Sequence, residues 1–185
     1  MTLLVTGLVL FFALHLIPSV LPLRVALIAR LGPGAYRGLF SLVSLAGLVL
    51  MVWGFARAPV EPLYAVPGWG RQVAMFAVPA ALVLFAAANM PTHMRAVLKH
   101  PMLLGTLLWA AAHLLSNGDL RSVVLFGSFA GFALLDLVSV VARDKRPSTD
   151  KAPRLAMDGA AVVAGLVAAT LLTVFHGTLF GVPVI

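Results

Sequence analysis

Lys99–Leu120 reads KHPMLLGTLLWAAAHLLSNGDL. Pro101 sits where a helix tolerates proline, at its first turn, and Asn117-Gly118 stands where a helix stops. Between them only Thr106, His113 and Ser116 are polar. A segment this apolar on every side is not a surface helix of a soluble domain; it lies in a core or a bilayer. The same stretch carries two histidines thirteen positions apart, His100 and His113.

The rest of the chain decides for the bilayer. Its 185 residues are 62% hydrophobic and 10% charged, with mean hydropathy +1.06. Soluble domains run near about 45–50% apolar and 25% charged. Spans of about 20 residues fill this length roughly six times over. The pattern predicts an all-α integral membrane bundle of about six transmembrane helices: Thr2–Leu21, Tyr36–Ala56, Gln72–Asn89, Pro101–Ser116, Ser122–Ala142 and Leu155–His176. Pro- and Gly-bearing stretches, PLRVALIARLGPG, APVEPLYAVPGWG and NMPTH, read as the gaps. Residues 1–185 form one polytopic domain on this reading. The first helix has no basic residue before it and no small-x-small cleavage site, so it reads as a retained span.

Orientation follows from lysine and arginine. Gaps after the first, third and fifth helices carry ten of them, the other two gaps three, and the termini none. Basic loops stay in the cytoplasm. Both termini are therefore expected on the outer, periplasmic side of a bacterial inner membrane, with ARDKRPSTDKAPR (Ala142–Arg154) as a cytoplasmic loop. The net charge of +7 then reports topology and contact with anionic headgroups. It does not indicate nucleic acid, because no basic run is interleaved with aromatics. Without cysteine there are no disulfides, thiolate ligands or covalent haem attachment.

Each ionisable group inside a span needs a reason, since its insertion costs at least about 2.5 kcal/mol. His15, deep in the first helix and one turn before Pro18, is either hydrogen-bonded to a neighbouring helix or handles a ligand or proton. His100 and His113 cannot share a metal: thirteen helical residues rise about 20 Å and turn through about 220°. His100 opens its helix at the interface. His113 shares a face with Trp109, Thr106 and Met102, and Asn117 extends that face. Imidazole, indole, hydroxyl and amide together read as a pocket wall, with a purely structural hydrogen bond as the other reading of His113. Asp136 lies seven residues before Arg143, about 10 Å inside. It pairs either with His15 or with a rim arginine such as Arg37. Gly38, Gly47, Gly127–Gly131 and the Gly/Ala run after Asp158 read as packing surfaces, and His176 as solvated at the outer surface. No HExxH, GxSxG, P-loop or GxGxxG motif occurs. Histidine is the transition-metal ligand the spans retain, a composition that permits haem b.

Arg37–Pro59 (RGLFSLVSLAGLVLMVWGFARAP), His100–Asp119 (HPMLLGTLLWAAAHLLSNGD) and LFGSFAGFALLD together resemble the NnrU family of bacterial membrane proteins, from about Leu3 to Phe180. The family is associated with nitrite and nitric oxide reduction, and a similar domain occurs in 15-cis-zeta-carotene isomerase, a haem b enzyme. The resemblance implies a haem b site with His15 and His113 as metal ligands and Trp109 and Thr106 beside the cofactor. It implies either polyene cis-trans isomerisation or nitrogen-oxide metabolism, with an isoprenoid substrate or nitric oxide as partner. By depth, His15 lies about 10 Å and His113 about 20 Å from the cytoplasmic side. One haem between them lies nearer parallel to the membrane, or a tilt closes the gap; otherwise His113 pairs with His176 or acts alone. Two alternatives remain: a cofactor-free accessory protein of denitrification, and a methyltransferase. KHPMLLG resembles the Arg-His-Pro-x-x-x-Gly segment of isoprenylcysteine-type methyltransferases, with Lys99 in place of the arginine.

Overall fold

In a computed structural model, residues 1–142 and 152–184 are described. Most of the basic loop expected at Ala142–Arg154 lies outside them. Seven α-helices make up the described chain: α1 (Thr2–Leu16), α2 (Leu21–Arg57), α3 (Gly70–Ala88), α4 (His93–Leu98), α5 (Pro101–Ser116), α6 (Leu120–Ala142) and α7 (Leu155–Phe180). α1, extended by the 3-10 turn Ile17–Ser19, and α2, α3, α6 and α7 are long and apolar enough to cross a membrane. α5 has 16 residues, about 24 Å, which is short of a hydrocarbon core of about 30 Å. No strand occurs among the described residues; a lone antiparallel bridge joins Pro62 and Asp119.

Residues 1–60 and 61–185 form two compact units. In the first, α1 packs on α2. α1 ends at Leu16, earlier than the expected Leu21, because Pro18 cannot donate to the ladder and the chain tightens into the 3-10 turn. The segment PLRVALIARLGPG is not an open gap. Residues 21–31 are already helical, as suits a run of Leu, Ile, Ala and Arg. The break expected somewhere in this stretch is concentrated at Gly32, with φ 77° and ψ 157°. That conformation is accessible to glycine alone, and the following Pro33 pushes its predecessor out of the helical region. Small residues bring α1 and α2 together, Gly7 against Gly47 and Met51, and Gly54 against Leu4.

In the second unit α3 is central: α5 and α7 pack on it, and α6 packs on α5. A side chain at Gly105 would sit 2.9 Å from the Phe85 ring and 3.0 Å from the Ala81 carbonyl, so the absence of one sets the α3–α5 distance. Gly165 plays the same part against Val83 at the α3–α7 contact. At Gly38, Gly127 and Gly131, read as packing positions, a Cβ would meet nothing within 4 Å among the described residues. The short α4, inside a stretch read as a gap, is capped by Thr92, whose hydroxyl accepts from the Arg95 amide at 3.0 Å. α7 continues one turn past His176 to a left-handed Gly181 cap.

Candidate functional site

The opening stretch forms α5 with the expected bounds. His100 is its N-cap residue, following a Lys99 held at φ 61°. The two histidines therefore stand at opposite ends of one helix, His100 before its first residue and His113 in its last turn.

His113 is half-buried in an aromatic cluster built from α5 and α6. Its ring stacks on Phe126 with centroids 4.4 Å apart and an angle of 23°. Trp109 lies 5.0 Å from His113, and packs edge-on to Phe126 at 4.9 Å and Phe129 at 5.4 Å. Phe126 and Phe129 escaped the reading of the sequence, although their spacing of three puts both on one helical face. The His113 Nδ1 lies 2.8 Å from the Trp109 carbonyl. A ring nitrogen facing a carbonyl must carry the proton, so the lone pair is at Nε2. Thr106, one turn further back, spends its hydroxyl proton on the Met102 carbonyl at 2.9 Å. His176, read as solvated, is half-buried; its Nδ1 lies 2.5 Å from the Val182 carbonyl.

Asn117, read as extending the polar face of α5, closes the end of that helix. Both its backbone and side-chain N–H groups donate to the His113 carbonyl at 2.9 Å. The Tyr64 hydroxyl donates to the carbonyls of Leu114 and Asn117. Burial, and secondarily the Asp119 carboxylate, push the Tyr64 phenol above its ordinary value, which keeps that donor protonated. Leu63 and Tyr64 also donate their backbone N–H groups to Gly118, and Leu120 donates to Glu61. Asp119 caps α6 by accepting from the Ser122 amide at 3.0 Å and the Ser122 hydroxyl at 2.8 Å. The Ser-Asn-Gly-Asp run thus holds the floor beneath His113 rigid.

His15 uses the same device in the first unit. Its Nδ1 lies 2.7 Å from the Phe11 carbonyl, while its ring stacks on Phe11 at 4.0 Å and meets Phe40 at 5.2 Å. Phe40 in turn neighbours Tyr36 at 6.3 Å. Arg37 donates from Nε to the Pro33 carbonyl at 3.1 Å. Asp136 is half-buried on α6, two turns beyond Phe129. The partners read for it, His15 and Arg37, belong to the other unit.

His93 and Asp158 were not read as partners. The Asp158 carboxylate meets the His93 ring at 2.6 Å and accepts from the His93 backbone amide at 2.9 Å. Sixty-five residues separate the two, so no local pattern marks them.

A set of long apolar helices carrying two backbone-tethered histidines among aromatic rings defines a multi-pass α-helical membrane protein. Residues 3–184 match the family described as NnrU protein, and the chain belongs to the NnrU family. No curated protein and no solved structure matches it.

Proposed function

We propose that this protein binds haem b in the membrane, with His113 and His15 as the candidate histidine ligands. The observation that supports this reading most directly is the tethering of His113. Its Nδ1–H is committed to the Trp109 carbonyl, which fixes the tautomer and ring orientation and leaves the Nε2 lone pair for a metal. His15 makes the corresponding Nδ1 contact, to the Phe11 carbonyl at 2.7 Å. The flanking rings of Trp109, Phe126 and Phe129 beside His113, and of Phe11 and Phe40 beside His15, suit the apolar faces of a porphyrin. Each histidine with its flanking rings therefore has the chemistry of a haem ligand.

When bound, haem b supplies a redox-active iron able to engage a conjugated double bond or nitric oxide. What the protein adds is local. The two backbone carbonyls make the imidazoles better electron donors, the aromatic walls exclude water, and Thr106 with its hydroxyl already bonded offers no competing donor. Such surroundings favour an uncharged, hydrophobic substrate, either a polyene undergoing cis-trans isomerisation or nitric oxide. The protein purified in detergent should show a Soret band. A wild-type protein expressed with ample haem precursor that lacks one would favour a cofactor-free accessory role instead.

A further inference from the structure

The first unit holds a second feature, which shares Phe40 with the surroundings of His15. Pro18, Arg24, Tyr36, Arg37, Phe40 and Ser41 line an open cavity of about 330 Å³ where α1 gives way to α2. Its two guanidiniums come from either side of Gly32, where the helical conformation of α2 is interrupted. Residues 1–60 contain four arginines and no aspartate or glutamate. Nothing in the unit can therefore neutralise Arg24 and Arg37. Arg37 spends Nε on the Pro33 carbonyl, so its terminal nitrogens are the donors left to a ligand. The Tyr36 hydroxyl is buried with no hydrogen-bond partner among the described residues. A buried hydroxyl in that state costs free energy that an acceptor placed there would recover.

We propose that this cavity is a binding site for an anionic phospholipid, with the phosphate seated on Arg24 and Arg37 and accepting from Tyr36. Two arginines and a hydroxyl match the geometry of a phosphodiester, and the net negative charge of the lipid answers the local positive excess. Phe40 and Pro18 supply apolar walls for the glycerol region. Beyond them the exposed Leu39, Leu42 and Leu45 offer an acyl chain a hydrocarbon track along α2. A free phosphate ion would use the arginines but not this track.

The test uses the full chain, delipidated in detergent, with native mass spectrometry and lipid-dependent thermal shift as readouts. Wild type is expected to retain one phosphatidylglycerol in preference to phosphatidylcholine, whose choline cation meets the same guanidiniums. The pair Arg24→Gln and Arg37→Gln should weaken phosphatidylglycerol binding about thirtyfold, from roughly a fivefold contribution per arginine near an anionic headgroup. The pair Arg30→Gln and Arg57→Gln removes equal charge outside the cavity and should bind as wild type. Arg37→Lys keeps the charge and the helix but loses the planar fork, and should still weaken binding measurably. Three results would overturn the proposal: equal losses in the two Gln pairs, an unchanged Arg37→Lys, or displacement of the lipid by millimolar inorganic phosphate.

Discussion

The carboxylate of Asp158 in the first turn of α7 receives three groups from α4: the His93 ring at 2.6 Å, the His93 amide at 2.9 Å and the Met94 amide at 3.4 Å. It acts as an N-terminal cap supplied from another helix, where a negative charge also suits the helix dipole. The Arg154 amide, donating to the Pro91 carbonyl at 3.0 Å, is a second tie between the same segments.

Replacing Asp158 by alanine should therefore lower the melting temperature, because three donors on α4 lose their acceptor at once. His93→Ala should lower it alone, yet add almost nothing when combined with Asp158→Ala, because its partner has gone. A double-mutant cycle by thermal melting in detergent checks this, and additive losses would refute the coupling.

Tyr64 gives a pH dependence with a defined sign. Its phenol is raised from 10.0 in the folded protein, so the fold binds that proton more tightly than the unfolded chain does. The stabilisation is complete below pH 10 and declines as pH rises above it through the folded value. Tyr64→Phe should cost about 1 kcal/mol near neutral pH through its lost hydrogen bonds. The gap between wild type and variant should narrow above pH 10. A gap that widened there would contradict the assignment.

Gly105 tests the α3–α5 contact. Gly105→Val places methyl groups into the Phe85 ring and the Ala81 carbonyl, and overpacking of this kind costs about 1–3 kcal/mol. Phe85→Ala in the same chain should recover part of the loss by making room. Failure of any such rescue would place the strain elsewhere.

For the haem reading, His113→Ala and His15→Ala should each reduce bound haem and change the reduced spectrum. A variant with wild-type haem content and an unaltered six-coordinate spectrum removes its histidine from the ligand set. His176→Ala is the informative companion, since His176 is the other partner read for His113 in the sequence.

The basic asymmetry of ten residues against three makes the remaining prediction. A reporter joined after Ile185 should be active only when it is one that works outside the cytoplasm. Activity of a cytoplasm-only reporter at that end would reverse the topology.

Helix identity was legible in the sequence because it is local. Hydropathy along each segment, Pro101 at a first turn and Gly-bearing stops are enough to draw α3, α5, α6 and α7 within a few residues. The face shared by His113 and Trp109 follows from the helical repeat of about 3.6 residues alone. Where local signals compete, the reading slipped: Pro22, Gly32, Pro33 and Gly34 made PLRVALIARLGPG look like a gap, although residues 21–31 are good helix formers and the true break needs only Gly32. The relations that shape the candidate sites were not legible. His93 with Asp158, Tyr64 with Leu114 and Phe126 against His113 join residues 13 to 65 positions apart. Composition and periodicity say which face of a helix is polar or aromatic. They do not say which other helix meets that face, because this depends on where glycines such as Gly105 and Gly165 let two backbones approach. The sequence by itself determined a helical membrane protein with imidazoles in its apolar segments. Only the tertiary structure decided which rings from a second helix enclose each imidazole, since stacking needs two backbones held at a distance that neither helix sets alone.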